Sequence, residues 1–158
     1  MMNKQQLVEL VITPFLKLMH NGISGELAIT MIIAHESRRG HFLKQVGGPA
    51  LGLIQMEPTT HNSTWRYGDS IWHNALKLGI IDKFTYNNKL MPSAQRLIYD
   101  LQYNVFMARQ RLFMKRGALP TNIDDLSRYL KKHWNSIHGA AADMSYRDDY
   151  VKWDKTKS

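Results

Sequence analysis

The sequence contains no cysteine, which excludes disulfides, thiolate nucleophiles and cysteine-ligated zinc, and leaves the redox compartment open. It also lacks any apolar run near the roughly twenty residues that a membrane span needs. Its seven histidines form no HExxH pattern, because Arg39 stands where a partner of His35-Glu36 would be. A zinc peptidase is therefore not expected, nor is any metal or cofactor. There is no Gly-x-Ser-x-Gly elbow and no phosphate loop. Acidic residues are scarce, 13 against 21 Lys and Arg, for a formal charge of +8. That charge favours polyanions, whether nucleic acid or an envelope rich in carboxylate and phosphate. The cations are scattered, with small clusters at Arg38-Arg39, Lys115-Arg116 and Lys131-Lys132. No nucleic-acid arm is built from them, and no specific nucleic-acid partner is expected.

What is present is enough for one domain: 158 residues, 44% hydrophobic, a length that supports a real core. Leu7, Leu10, Val11, Pro14, Phe15 and Leu18 recur at helical spacing, predicting an amphipathic helix within 1–23 that Pro14 kinks or splits. Ser24 reads as the N-cap of a second helix with Glu26 in its first turn. From Leu27 to Ala34 that helix is apolar on every side, as a core helix is. Gly40, Gly47, Gly48, Pro49 and Gly52 then break the pattern and predict a small hairpin or irregular lobe. Pro58 opens another helix through Trp65, and Trp72 to Leu78 suggests a further one stopped by Gly79. Thr85 to Leu90 reads as a polar turn.

Pro92-Ser93 begins the longest periodic element. Ala94, Leu97, Ile98, Leu101, Val105, Ala108 and Leu112 share one helical face, and Gly117 stops it. Thr121 or Asn122 caps a last clear helix whose inner face is Leu126, Tyr129, Leu130, His133 and Trp134. Beyond it the chain turns polar, with isolated aromatics at Tyr146, Tyr150 and Trp153, and a surface-packed tail that frays is expected. The fold class is mainly α. The expected single domain has an N-terminal helix over 1–23, a core over 24–139 and a polar tail over 140–158.

The chemistry centres on Glu36, a lone carboxylate at the end of the apolar helix. There it faces the negative end of the helix dipole, and apolar surroundings also favour its neutral form. Such a glutamate holds a proton near neutral pH and donates it as a general acid. The plainer reading is a surface ion pair with Arg38 or Arg39. Gly52-Leu53-Ile54-Gln55-Met56 follows, with Gln55 nineteen residues after Glu36. If that segment is extended, Gln55 and Glu57 point to one face, and Glu57 is either a cleft residue or a solvated acid before Pro58.

Glu36-Ser37, the Gly-Leu-Ile-Gln-Met segment and Pro58-Thr59-Thr60, in this order and spacing, resemble the soluble lytic transglycosylases of the lysozyme-like superfamily. The resemblance covers about Ser24 to Asn135. It implies a lysozyme-like fold and a single catalytic glutamate, Glu36, acting on peptidoglycan glycan strands. It also implies cleavage between N-acetylmuramic acid and N-acetylglucosamine that leaves 1,6-anhydro ends. Ser37, Gln55, Met56, Glu57, Tyr129, Trp134 and Asn135 become the expected substrate-binding residues. Trp134-Asn135 stands at the family's Tyr-Asn position, and either Tyr129 or Trp134 is to supply its ring. Ile137 departs from the pattern, where the family has glycine. The opening segment does not read as a signal peptide, so synthesis in a bacterial host's cytoplasm is expected. A bacteriophage protein of this kind reaches the wall from the virion, beside other virion proteins, or after release at lysis. Two alternatives remain: a hydrolytic lysozyme using Glu36 and Glu57, and a non-catalytic basic virion or nucleic-acid-binding protein.

Overall fold

In the computed structural model, residues 1–135 and 141–155 are described. Ser136 and Ile137, the end of the third motif, lie outside them. The described residues are mainly helical, and the β pairing among them consists of two isolated antiparallel bridges, Lys44 with Leu51 and Leu51 with Met56. No helix among them is long and apolar enough to cross a membrane.

The first rod, α1, joins Lys4–Leu7, a π-helical turn Val8–Ile12, and Thr13–Leu16. Pro14 explains the irregularity. It has no N–H for the α ladder, and its ring crowds the carbonyl four residues back. The widened turn absorbs this, with the Thr13 N–H reaching back to Val8 O. Asn21, in the left-handed region, then leads a 3₁₀ turn, Gly22–Gly25, into α2, Glu26–Glu36. Gly25, not Ser24, occupies the N-cap position. The Ser24 hydroxyl instead donates to Asn21 O and accepts from Arg109.

Helix α2 is the axis of the core: Ala28 through Ala34 are buried on every side. It ends in three successive positive-φ residues, Arg38, Arg39 and Gly40, which reverse the chain into the lobe of residues 41–57. Helix α3, Pro58–Arg66, starts with its proline at a first-turn position where no N–H is needed. Helix α4, Ser70–Lys77, stops before Gly79, and α5 spans Lys83–Asn88. This last helix replaces the polar turn expected at Thr85 to Leu90. Asp82 caps it by accepting the Thr85 N–H at 2.7 Å, a signal that its polar interior hides.

The long element expected from Pro92 is two helices, α6 at Arg96–Tyr99 and α7 at Leu101–Phe113. Asp100 divides them. Its backbone is extended, and its carboxylate caps α7 by accepting the Tyr103 N–H at 3.0 Å. Of the expected face, Leu97, Val105, Ala108 and Leu112 are buried, whereas Leu101 at the break is exposed. Asn122 caps α8, Ile123–Leu130, which runs on into a π-helical turn, Lys131–Asn135.

The expected surface tail is also corrected. Ser145–Lys155 forms a helix, α9, packed on α2 and α8. Tyr146 and Trp153 are core residues, 0% and 3% exposed. Ser127 fastens its start, donating to Asp143 O and accepting the Arg147 N–H. At its far end the Trp153 indole N–H donates to Met2 O at 2.9 Å, and Lys4 pairs with Asp154.

Candidate active site

Helix α2 delivers Glu36 from the middle of the core to the floor of an open cleft of about 630 Å³. Five parts of the chain line it. Glu36 closes α2, the lobe gives Gln45, Ala50, Gln55, Met56 and Glu57, and α3 gives Thr60. Helix α7 gives Arg111, and the π-helical turn after α8 gives Trp134 and Asn135. Of the residues singled out from sequence, Glu36, Gln55, Met56, Glu57, Trp134 and Asn135 thus share one cavity.

The lobe is shaped by a tight turn. Leu51 and Met56 exchange backbone hydrogen bonds at 3.0 Å each way, and Gly52 to Gln55 form the loop between them. The segment is therefore not extended, and the alternation argument for Gln55 and Glu57 does not apply. Gln55 has φ of 46° and donates its side-chain amide to Gly52 O. Gly52 sits at φ +78°, and a Cβ there would lie 2.3 Å from Asn104 Oδ1 and 2.5 Å from the Leu97 carbonyl oxygen. Only glycine suits both the backbone and the contact. Buried Asn104 holds this turn to α7: its side-chain amide donates to Leu97 O and Asp100 O, and its oxygen accepts the Ile54 N–H.

Around Glu36 the partner is a tyrosine that the sequence placed in the surface tail. The Tyr146 hydroxyl donates to Glu36 Oε1 at 2.5 Å, with the Asn135 side chain at the same hydroxyl. The Tyr146 ring tilts against His35 at 4.5 Å, and His35 Nδ1 lies 2.7 Å from Asp149 Oδ2. Burial raises the Glu36 carboxyl above its ordinary value, while the Tyr146 hydrogen bond and the His35 charge pull it down. Burial, the Glu36 charge and that hydrogen bond push the Tyr146 phenol up, so it remains a donor. Among the described residues neither Arg38 nor Arg39 forms an ion pair with Glu36. Arg38 is exposed, and Arg39 Nε is buried without a partner.

Two expected site residues lie elsewhere. Ser37 is fully buried: its hydroxyl donates to Ile33 O and accepts the Gly40 N–H, so it builds the turn that follows Glu36. Tyr129 is half-buried against the core with its ring tilted on His133, and it does not line the cleft. Of the two rings proposed from sequence, Trp134 lines the cavity, yet the hydroxyl on Glu36 comes from Tyr146. The signal was present: Tyr146, Tyr150 and Trp153 stand at offsets of 0, 4 and 7, one face of a helix. Among the described residues no three His, Asp or Glu side chains converge as a ligand set for a metal ion.

The arrangement is suited to giving up one proton into a cleft. A raised carboxyl is protonated to higher pH than an exposed one, and the tyrosine donor steadies the carboxylate left behind. No family model, curated protein or solved structure matches this chain.

Proposed function

We propose that the protein cleaves the bond between N-acetylmuramic acid and N-acetylglucosamine in peptidoglycan, as a lytic transglycosylase with Glu36 as its general acid. One observation carries this reading: a carboxyl raised by burial, held by a tyrosine hydroxyl at 2.5 Å, and open to a cleft of about 630 Å³. The ordered motifs from Glu36 to Thr60 supply the substrate class. In this mechanism Glu36 protonates the bridging oxygen as the C1–O bond breaks. The substrate's own N-acetyl group steadies the positive centre. The 6-hydroxyl of the muramic residue then attacks C1, and its proton returns to Glu36. Tyr146 stabilises the carboxylate between the two transfers, and no second carboxylate is consumed. Gln55, Asn135 and Trp134 position the sugars, the last by ring contact. The +8 charge draws the protein to the anionic wall, in keeping with a bacteriophage protein acting from the virion or after lysis.

A second reading, hydrolysis with Glu57 as base or nucleophile, is favoured by Glu57 lining the same cleft. Mass analysis of digested sacculi separates the two, because anhydro and reducing ends differ by one water. Glu36→Gln conserves volume and is expected to fold while losing about 10²–10⁴-fold in rate. Near wild-type clearing of sacculi by folded Glu36→Gln would sink both readings, whereas no action of the unaltered protein on sacculi would leave the non-catalytic basic protein.

A further inference from the structure

Helix α7 carries two arginines two residues apart, and they face different surroundings. Arg109 is buried. Its guanidinium donates to Asn21 O and Ser24 Oγ and lies 3.6 Å from the Phe113 ring centroid. It ties α7 to the turn that precedes α2, a structural role. Arg111 lines the cleft that holds Glu36. It is half-buried, and its hydrogen bond within the chain is a 3.6 Å contact to the Met114 thioether, a weak acceptor. No carboxylate lies within ion-pair distance of it among the described residues. The two acids that share the cavity are otherwise placed. Glu36 takes the Tyr146 hydroxyl, and Glu57 is exposed on the lobe.

A half-buried guanidinium on the cleft wall, whose protein acceptor is one weak sulfur, keeps donors open to the cleft's solvent and so to a ligand. Its planar fork of donors matches a carboxylate in two-point geometry. A carboxylate that enters the cleft can therefore take the place of that water. We infer that Arg111 binds a carboxylate on the glycan and makes this cleft selective for acidic over neutral N-acetylated strands. This rests on the reading of the cleft as a glycan site. Two sources carry that chemistry on peptidoglycan: the lactyl ether of a muramic residue when it is free, and the stem peptide when the lactyl group is amide-linked. A strand of N-acetylglucosamine alone carries neither. In the reaction above, Arg111 touches a substituent and not the reacting atoms, so it contributes to binding and register along the strand.

The test uses the full chain with Glu36→Gln, so that binding is read without turnover, by calorimetric titration at fixed salt. The probes are peptide-stripped glycan strands with free lactyl carboxylates, the same strands with those groups converted to neutral amides, peptide-bearing strands, and chitin oligosaccharides of equal length. The acidic strands are expected to bind about tenfold to a hundredfold tighter than the amidated strands or chitin. Comparing stripped with peptide-bearing strands identifies the source of the carboxylate. Adding Arg111→Met abolishes the preference, and Arg111→Lys, which keeps the charge without the fork, restores only part of it. Lys83→Met removes an equal charge from an exposed position outside the cleft and leaves the preference intact.

Equal affinity for acidic and neutral strands, or a preference that survives Arg111→Met, overturns the inference. So does an equal loss from Lys83→Met, which would assign the effect to net charge alone. Cleavage by the chain with Glu36 intact is scored separately on sacculi. Product formation with an Arg111 that discriminates nothing removes this inference and leaves the proposed function standing. Arg111-dependent binding with no product does the reverse.

Discussion

Replacing Tyr146 by phenylalanine removes one oxygen, and with it the bond to Glu36 and the Asn135 side-chain contact, and little else. The ring is fully buried and rests against His35, contacts that phenylalanine keeps. The 2.5 Å bond to Glu36 is what goes. A hydrogen bond to a charged acceptor contributes about 1.5–3 kcal/mol, and one between neutral groups about 0.5–1.5 kcal/mol. The ionised form of Glu36 thus loses roughly 1 kcal/mol more than the protonated form, and its titration moves further up. The basic limb of the pH profile for sacculus clearing reports loss of the acid's proton. Tyr146→Phe is expected to carry that limb to higher pH while lowering the maximum rate. Stability changes in step. Burial makes the folded protein hold this proton more tightly than the unfolded chain does. The contribution is therefore complete below the unfolded carboxyl value and is lost as pH rises through the higher folded value. Urea denaturation should show Tyr146→Phe costing more above the Glu36 titration than below it. A basic limb that stays fixed or moves down, or a cost equal at both pH values, refutes the reasoning.

Other outcomes follow from the same geometry. Gly52→Ala places a side chain at φ +78° and against the Leu97 carbonyl; it should cost at least about 1–2 kcal/mol in urea denaturation and slow cleavage by displacing Gln55. Trp153→Ala empties a buried indole site and should cost about 3–5 kcal/mol, with thermal unfolding as the measure; a loss under 1 kcal/mol would mean that α9 contributes little to the fold. Glu57→Gln should keep most of the rate and still give anhydro ends. A folded, inactive Glu57→Gln together with reducing ends would assign the hydrolytic route instead.

How much of this was legible in the residues depends on the range over which each signal acts. The core helix could be read because Leu27 to Ala34 are apolar without interruption, a pattern that fits few environments. Glu36 stands out at the end of that run, but that place alone suited an ion pair with Arg38 or Arg39 as well, and only the motifs that follow it singled it out. The split at Asp100 was hidden because hydrophobic periodicity passes through it almost unchanged, and a cap is one side chain against a long stripe. Helix α5 was hidden for the same reason, its capping Asp82 being followed by a polar interior. Ser37 was misplaced because a serine beside a catalytic acid suits a cleft as well as a buried turn, and only the fold decides between them. Tyr146 was missed because the contact that matters joins residues 110 positions apart. Local pattern carries no information about such a pairing, even where it reveals the helix that makes it.

The joining of Met2 and Lys4 to Trp153 and Asp154 has a kinetic consequence. Closing a loop of this length is entropically dearer than any local step, so it is expected late in folding. The same helix that makes this closure brings Tyr146 to Glu36. A chain that has assembled α2, the lobe and α7 but has not docked α9 holds its acid without the hydroxyl that steadies it. If the proposed activity holds, it should appear after most helical signal has been gained, in step with burial of Trp153, because the Glu36–Tyr146 pair is completed at the final closure of the chain and not at collapse.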